Sequence, residues 1–156
     1  MGLMSEVRGC SFPDDLLYDS DLNLWFRQVE KDTFEVGITV FGHALSGDLY
    51  MFNPKPIGRE IEASRAFALV EAAKTVLPVR TPFDAIIAET NPDPQQRPSI
   101  INQAPYQAWL VKLRALRCGE ANEILLHGDQ VAHRARSLMD MFNFESLDTY
   151  VKGSAS

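Results

Sequence analysis

The chain has 156 residues, is 46% hydrophobic and 23% charged, and carries a net charge of -6. That size and composition suit one soluble globular domain, which buries roughly 70% of its unfolded surface and needs neither metal nor disulfide to hold a core. The acidic balance argues against a nucleic-acid binder, whose partner demands a basic face, and no run approaches the roughly 20 apolar residues that cross a membrane.

In chain order, residues 1–13 are expected to form a loose arm. Met1 to Cys10 lacks a basic region followed by an apolar stretch, so the expectation is a cytoplasmic protein. Residues 14–116 are rich in short strand signals and make the expected β core. Residues 24–29 (LWFRQV) read as a strand, Lys31-Asp32 as a turn and residues 33–40 as the returning strand. Residues 41–45 suit one helical turn. Residues 47–52 are a further strand, stopped by Asn53-Pro54 and Pro56, and Gly58 marks a turn before Glu60-Ile61. Residues 65–71 read as a strand with Ala66, Ala68 and Val70 on one face and Phe67 and Leu69 on the other. Residues 85–88 and 109–113 complete the strands. Many short strands with Gly and Pro turns predict a mainly β fold, a sandwich or flattened barrel. Residues 117–156 switch to a helical pattern. Asp129 is the expected N-cap, and Val131, Arg134 or Ala135, Leu138, Met141 and Phe142 recur at helical spacing. Residues 145–151 read as a second short helix, and the tail is expected to lay its apolar face on the β core.

One run carries chemistry. In Val70-Glu71-Ala72-Ala73-Lys74-Thr75-Val76 a strand ends, a lysine stands in a small-residue turn, and an apolar stretch resumes. That predicts a hairpin tip holding one long amine in solvent. An enzyme that acylates a lysine must close around the amine from several sides, and a tip permits it. Exposed turn lysines are common, so the run alone does not specify a function. No catalytic triad, phosphate loop or metal-ligand cluster accompanies it, and His43, His127 and His133 are scattered. The chain is therefore not expected to be an enzyme.

The ordered spacing of features from Phe12 to Leu113 resembles the H protein of the glycine cleavage system. The resembling runs begin with Phe12-Pro13 through Leu17-Tyr18 and Val36-Gly37-Ile38-Thr39. Ala44-Leu45, Gly47-Asp48 and Gly58 follow, then Phe67 through Val70-Glu71 with Lys74 and Pro82. Asn91, Pro98, Ile101-Asn102, Pro105-Tyr106 and Trp109-Leu110-Val111-Lys112 complete the series. The resemblance implies a lipoyl-domain β-sandwich with a C-terminal helical segment. It also implies a covalent lipoate on Lys74, attached by a lipoate ligase or lipoyl transferase. Related biotin carriers usually place Met on both sides of their lysine. Ala73 and Thr75 stand there, so lipoate is the expected cofactor. A dithiolane ring cannot reach the dihedral of roughly 85–100° that a relaxed disulfide takes, so a thiolate opens it readily. A carrier of this kind raises the local concentration of its cargo at each docked enzyme.

Ser64, Ala68 and Ala85 occupy places where the family usually has glycine, and the segment after Pro105-Tyr106 is shortened. These changes surround the cleft where an H protein would shelter its loaded arm. Cys10 and Cys118 bracket the β core. They read either as two unrelated thiols in a reduced cytosol or as a pair meeting in space, as a disulfide or a thiol relay. Two framing cysteines, together with the Pro54–Arg59 run, look like the lipoate-binding proteins of the sulfur-oxidising heterodisulfide-reductase-like system. That resemblance implies a lipoyl arm carrying a sulfur intermediate to a heterodisulfide-reductase-like complex, with lipoamide dehydrogenase resetting the ring. The alternatives are an H protein carrying the aminomethyl group of glycine cleavage and an unmodified H-like binding module.

Overall fold

The computed structural model describes residues 4–154. Residues 4–13 of the expected loose arm form a hairpin instead, and residues 1–3 of it lie outside the described residues. Strands β1 (Met4–Val7) and β2 (Cys10–Pro13) pair antiparallel, with Val7 opposite Cys10. The connecting Arg8 and Gly9 have φ of 52° and 86°, the two left-handed residues that a tight hairpin turn requires. Val7, Cys10 and Phe12 are buried. What orders the segment is the far end of the chain. The Leu147 N–H donates to the Arg8 carbonyl at 2.8 Å, and the Arg8 guanidinium donates to the Phe144 carbonyl at 2.8 Å and to the Asp140 carboxylate.

Two antiparallel sheets enclose the main core. The larger has six strands in the order β3-β4-β5-β11-β10-β7. These are β3 (Leu17–Asp19), β4 (Leu24–Glu30), β5 (Thr33–Ile38), β7 (Glu60–Ile61), β10 (Ala85–Thr90) and β11 (Val111–Ala115). The smaller has three, in the order β6-β8-β9: β6 (Leu49–Pro54), β8 (Ala66–Ala72) and β9 (Thr75–Arg80). Phe26, Phe34, Val36, Ile87 and Leu113 from the larger sheet meet Phe52, Phe67, Val70 and Val79 from the smaller in one apolar cluster. The mainly β fold expected from the alternating pattern is thus present. So is α1 (Val40–Ser46), which Thr39 caps by accepting from the Gly42 N–H.

Local chemistry explains the departures from simple alternation. A bulge between Ala66 and Ala68 turns Phe67 inward, so Phe67, Ala68 and Val70 are buried and Leu69 is exposed. Phe67 and Leu69 therefore do not share a face. Pro78 sits inside β9, which tolerates it because β9 is an edge strand. Two five-residue helices, α2 (Pro92–Gln96) and α3 (Ser99–Gln103), fill a segment without strand or helix periodicity. Asn91 caps the first by accepting from the Asp93 N–H at 3.1 Å.

On the solvent face of the larger sheet, Arg27, Glu35, Lys112 and Glu89 stand opposite one another on four consecutive strands. Arg27 pairs Glu35 at 3.0 Å and Lys112 pairs Glu89 at 2.9 Å. Alternating sign makes every cross-strand neighbour attractive. Beside this row the Trp25 indole lies flat on Gly37, where a Cβ would stand 2.4 Å from the ring. No other residue fits that position.

The tail forms α4 (Glu120–Ile124), α5 (Asp129–Met141) and α6 (Leu147–Ser154). Asp129 is not the N-cap. Gly128 holds that place, and Asp129 is the first helical residue, where its carboxylate faces the positive end of the helix. Val131, Ala135, Leu138 and Met139 are buried on a second core with Phe12, Tyr18, Trp25, Phe41 and Phe144. Met141 and Phe142 are exposed, contrary to the helical spacing. The reason is the helix end. Asn143 is left-handed at φ 56°, its N–H donates to the Asp140 carbonyl, and the Phe144 N–H donates to the Met139 carbonyl at 2.7 Å. That Schellman turn reverses the chain and delivers Phe144 to the core instead.

Candidate functional site

The β8–β9 hairpin pairs Ala72 with Thr75, so Ala73 and Lys74 alone form its loop. Neither has a positive φ, so the turn needs no glycine. Both are exposed. Among the described residues the Lys74 ammonium makes no hydrogen bond and no ion pair. A long aliphatic stem therefore ends in an unengaged primary amine at the tip of a paired, three-stranded sheet. That is an accessible nucleophile once it loses a proton to an acylating enzyme.

The base of the tip is braced from the side. Leu49, the first residue of β6, pairs with Ala72. On its other edge β6 has no strand among the described residues, and Asn102 substitutes for one. The Asn102 side chain accepts from the Leu49 N–H at 2.9 Å and donates to the Leu49 carbonyl at 3.0 Å. His43 Nε2 donates to the same Asn102 oxygen at 2.8 Å and lies 3.5 Å from the Asp48 carboxylate. Sequence reading did not single out Asn102 for this task. It stood only within the ordered series of features, because a lone amide in a five-residue helix gives no local signal.

Next to the hairpin lies a cleft of about 160 Å³, lined in part by Asn23, Ile38, Gly42, Ser46, Val70 and Leu77. Gly42 is required there, since a Cβ would stand 2.5 Å from the Asn23 Cβ. The absent glycines resolve in two ways. Ser64 itself takes a left-handed φ of 72°, braced by its N–H to the Thr81 carbonyl at 2.7 Å and by Arg80 donating to its carbonyl at 3.0 Å. Ala68 and Ala85 are fully buried in strands β8 and β10, with ordinary extended backbone.

The two cysteines are held apart in character. Both are free thiols, Cys10 buried and Cys118 exposed. Burial, with Glu6 nearby, pushes the Cys10 thiol up to about 11, so it stays protonated and unreactive. Cys118 precedes Gly119, whose N–H donates to the Asp32 carboxylate at 2.9 Å. The histidines also remain dispersed, with His127 and His133 exposed. No group of three or more His, Cys, Asp or Glu side chains is placed to hold a metal ion among the described residues. A larger concavity of about 770 Å³ lies between the end of β3 and the start of α5. Asp21 and Arg134 cross its rim through paired contacts of 2.7 and 2.8 Å, and this guanidinium holds the Asp21 carboxyl below its ordinary range. No described helix is long and apolar enough to cross a membrane.

Comparison with known proteins places these features among relatives. Residues 16–137 match the family described as Glycine cleavage H-protein. The chain is 33% identical over 134 residues to "Glycine cleavage system H protein 5" of Aquifex aeolicus, covering 83% of this chain and 90% of the relative. It is 28% identical over 138 residues to "Glycine cleavage system H protein 2" of the same organism, covering 88% and 86%. A solved glycine cleavage system H protein from Mycobacterium marinum superposes with a TM-score of 0.66 at 27% identity, covering 79% of this chain and 98% of that one.

Proposed function

The chain belongs to the glycine cleavage H-protein family, and from that premise we propose that Lys74 bears its lipoyl group and that the loaded arm carries the aminomethyl group of glycine cleavage. Members of this family are lipoyl carriers rather than catalysts, and they hold lipoate covalently on a lysine. They work with lipoyl-modifying and glycine cleavage enzymes.

The observation that supports Lys74 is its isolation: an unengaged amine in a two-residue loop, flanked by the small Ala73 and by Thr75. Acylation removes the lysine charge without breaking any ion pair among the described residues. When bound, lipoate would supply a strained dithiolane that a nucleophile opens, one ring sulfur taking up the group while the S–S bond breaks and the other sulfur leaves as a thiol. The chain's own part is mechanical. The paired β6, β8 and β9 fix the attachment point, Asn102 and His43 hold the foot of that sheet, and Ala73 leaves the approach open. In this reading a pyridoxal-phosphate decarboxylase loads the arm, a folate-dependent transferase unloads it, and lipoamide dehydrogenase reoxidises it.

The relatives' names favour glycine cleavage over the sulfur carrier that the two cysteines suggested. Mixing the lipoylated chain with glycine, the decarboxylase and labelled bicarbonate is the test. Label entering glycine is the expected result, and absence of exchange with a fully lipoylated chain would defeat the reading. The framing cysteines Cys10 and Cys118 and the Pro54–Arg59 run motivate a second reading. It assigns the arm a sulfur intermediate and a heterodisulfide-reductase-like complex as acceptor. A lipoylated chain that fails glycine exchange yet is consumed by that complex with a sulfur donor would favour it. An intact mass equal to the bare chain, across several ligases, would leave the unmodified binding module.

A further inference from the structure

Beside Lys74 the small sheet exposes apolar side chains where alternation would have hidden some of them. A regular strand turns consecutive residues to opposite faces. In β6 a bulge between Leu49 and Met51 breaks that rule, so Leu49 and Phe52 are buried while Tyr50 and Met51 both stand in solvent. Bulges recur beside functional sites, where they re-aim side chains. The register then aligns Met51 with Glu71 and Val76, one step from the Ala72–Thr75 pair that closes the lysine loop. A further step aligns Asn53 with Leu69 and Pro78. Tyr50, Met51, Leu69 and Val76 are 44 to 59% exposed on this outer face, whereas Phe52, Val70 and Val79 of the same strands are buried in the core.

Resting on the assignment of Lys74 as acceptor, we propose that this outer face of β6, β8 and β9 is the landing surface for the enzyme that attaches lipoate. Reach decides the occupant. The attaching enzyme must meet a bare lysine, so its active site comes within one side chain's length of the tip and its body must rest on the hairpin's flank. Enzymes that use the finished arm meet its far end and can stand off. In the attachment the neutral Nζ attacks the carbonyl of an ATP-derived lipoyl adenylate. The amide C–N bond forms, the acyl C–O bond breaks, AMP leaves with the bonding pair, and the Nζ proton passes to solvent. The inner face is closed by the core, so the outer face is the flank available. Tyr and Met are enriched at interfaces, and clustered exposed apolar residues mark them.

The test uses a lipoate–protein ligase that modifies the wild-type chain, with lipoate and ATP, followed by intact mass. Met51→Lys and Val76→Lys place a charge on the exposed face, and Leu116→Lys does so at a residue of similar exposure, 47%, outside this sheet. Thermal unfolding checks the fold of each, with Met51→Ser and Val76→Thr as milder replacements should either lysine variant unfold. The expected result is a fall of about tenfold in kcat/KM for lipoylation, carried by KM, in the two face variants alone. Lipoylation at the wild-type rate in both face variants would overturn the proposal. So would normal lipoylation combined with slowed reduction by lipoamide dehydrogenase, which would give the face to a user of the arm. A lipoyl group mapped to another lysine is a separate outcome, and it would sink the Lys74 assignment itself.

Discussion

The β4–β5 hairpin turns through Lys31-Asp32 and the β8–β9 hairpin through Ala73-Lys74, so each presents a lysine at a two-residue tip. The surroundings differ. Asp32 is left-handed at φ 61°, its carbonyl accepts from the Ala115 N–H at 2.8 Å, and its carboxylate accepts from the Gly119 N–H at 2.9 Å. The first tip is thus tied down by the end of β11 and by the turn after it. No hydrogen bond or ion pair from elsewhere among the described residues reaches Ala73 or Lys74. A lysine at a hairpin tip is therefore an incomplete signal for a carrier. What separates the two is whether neighbouring chain crowds the tip.

The sharpest way to break this comparison is to exchange the lysines' fates. Lys74→Arg should abolish the mass gain from lipoylation, while Lys31→Arg should leave it complete, as intact mass will show. An unaltered fold is expected in both, because exposed turn side chains contribute little stability. The second effect lies under the free tip. Asn102→Ala removes two bonds to Leu49 and leaves its peptide groups without partners at that edge. It should cost about 2 kcal/mol in denaturant unfolding and speed hydrogen exchange at Leu49. At the tied tip, Asp32→Ala loses the bond to Gly119 and a residue tolerant of left-handed backbone. A loss of about 1 kcal/mol is expected, with lipoylation unchanged.

The smallest effect concerns the thiols. Cys118, next to Gly119 at the tied tip, should react with a disulfide reagent in the native protein and leave lipoylation intact. Cys10 should react only on unfolding. Its folded pKa of about 11 lies above the ordinary 9.0. The protonated thiol's contribution is therefore complete below pH 9 and lost as pH rises toward 11. Stability measured across that window should fall in the wild type and fall less in Cys10→Ala.

Local signals in the sequence anticipate the parts of this molecule that local chemistry builds. The Lys31-Asp32 turn, the α1 helical turn and the lysine loop follow from alternation and turn residues within a few positions. The parts that escaped depend on distant partners or on single exceptions to a period. The β1–β2 hairpin has only a few apolar residues and is ordered by Leu147 and Phe144. The α2 and α3 helices are five residues each, too short to show a 3.6-residue period. One bulge turned Phe67 inward, and one left-handed Asn143 exchanged Phe142 for Phe144. At the site, the two-residue tip that holds Lys74 was legible because a hairpin turn is local, whereas its proposed role came from the family resemblance. Asn102 and Tyr50 acquire meaning only once strand register is known.

The clasp between the chain's two ends has a consequence for synthesis. Arg8 is held by Asp140, Phe144 and Leu147, and the second core joins Val7, Cys10 and Phe12 to Val131, Leu138 and Phe144. On the ribosome, the sandwich can close once β11 has emerged. Its flank of Phe12, Tyr18 and Trp25 must wait, uncovered, for α5 and Phe144. A nascent chain thus displays its Lys74 hairpin before its hydrophobic flank is sealed, and a stop codon before Asp140 would release a protein whose sandwich is built but whose flank stays open and sticky.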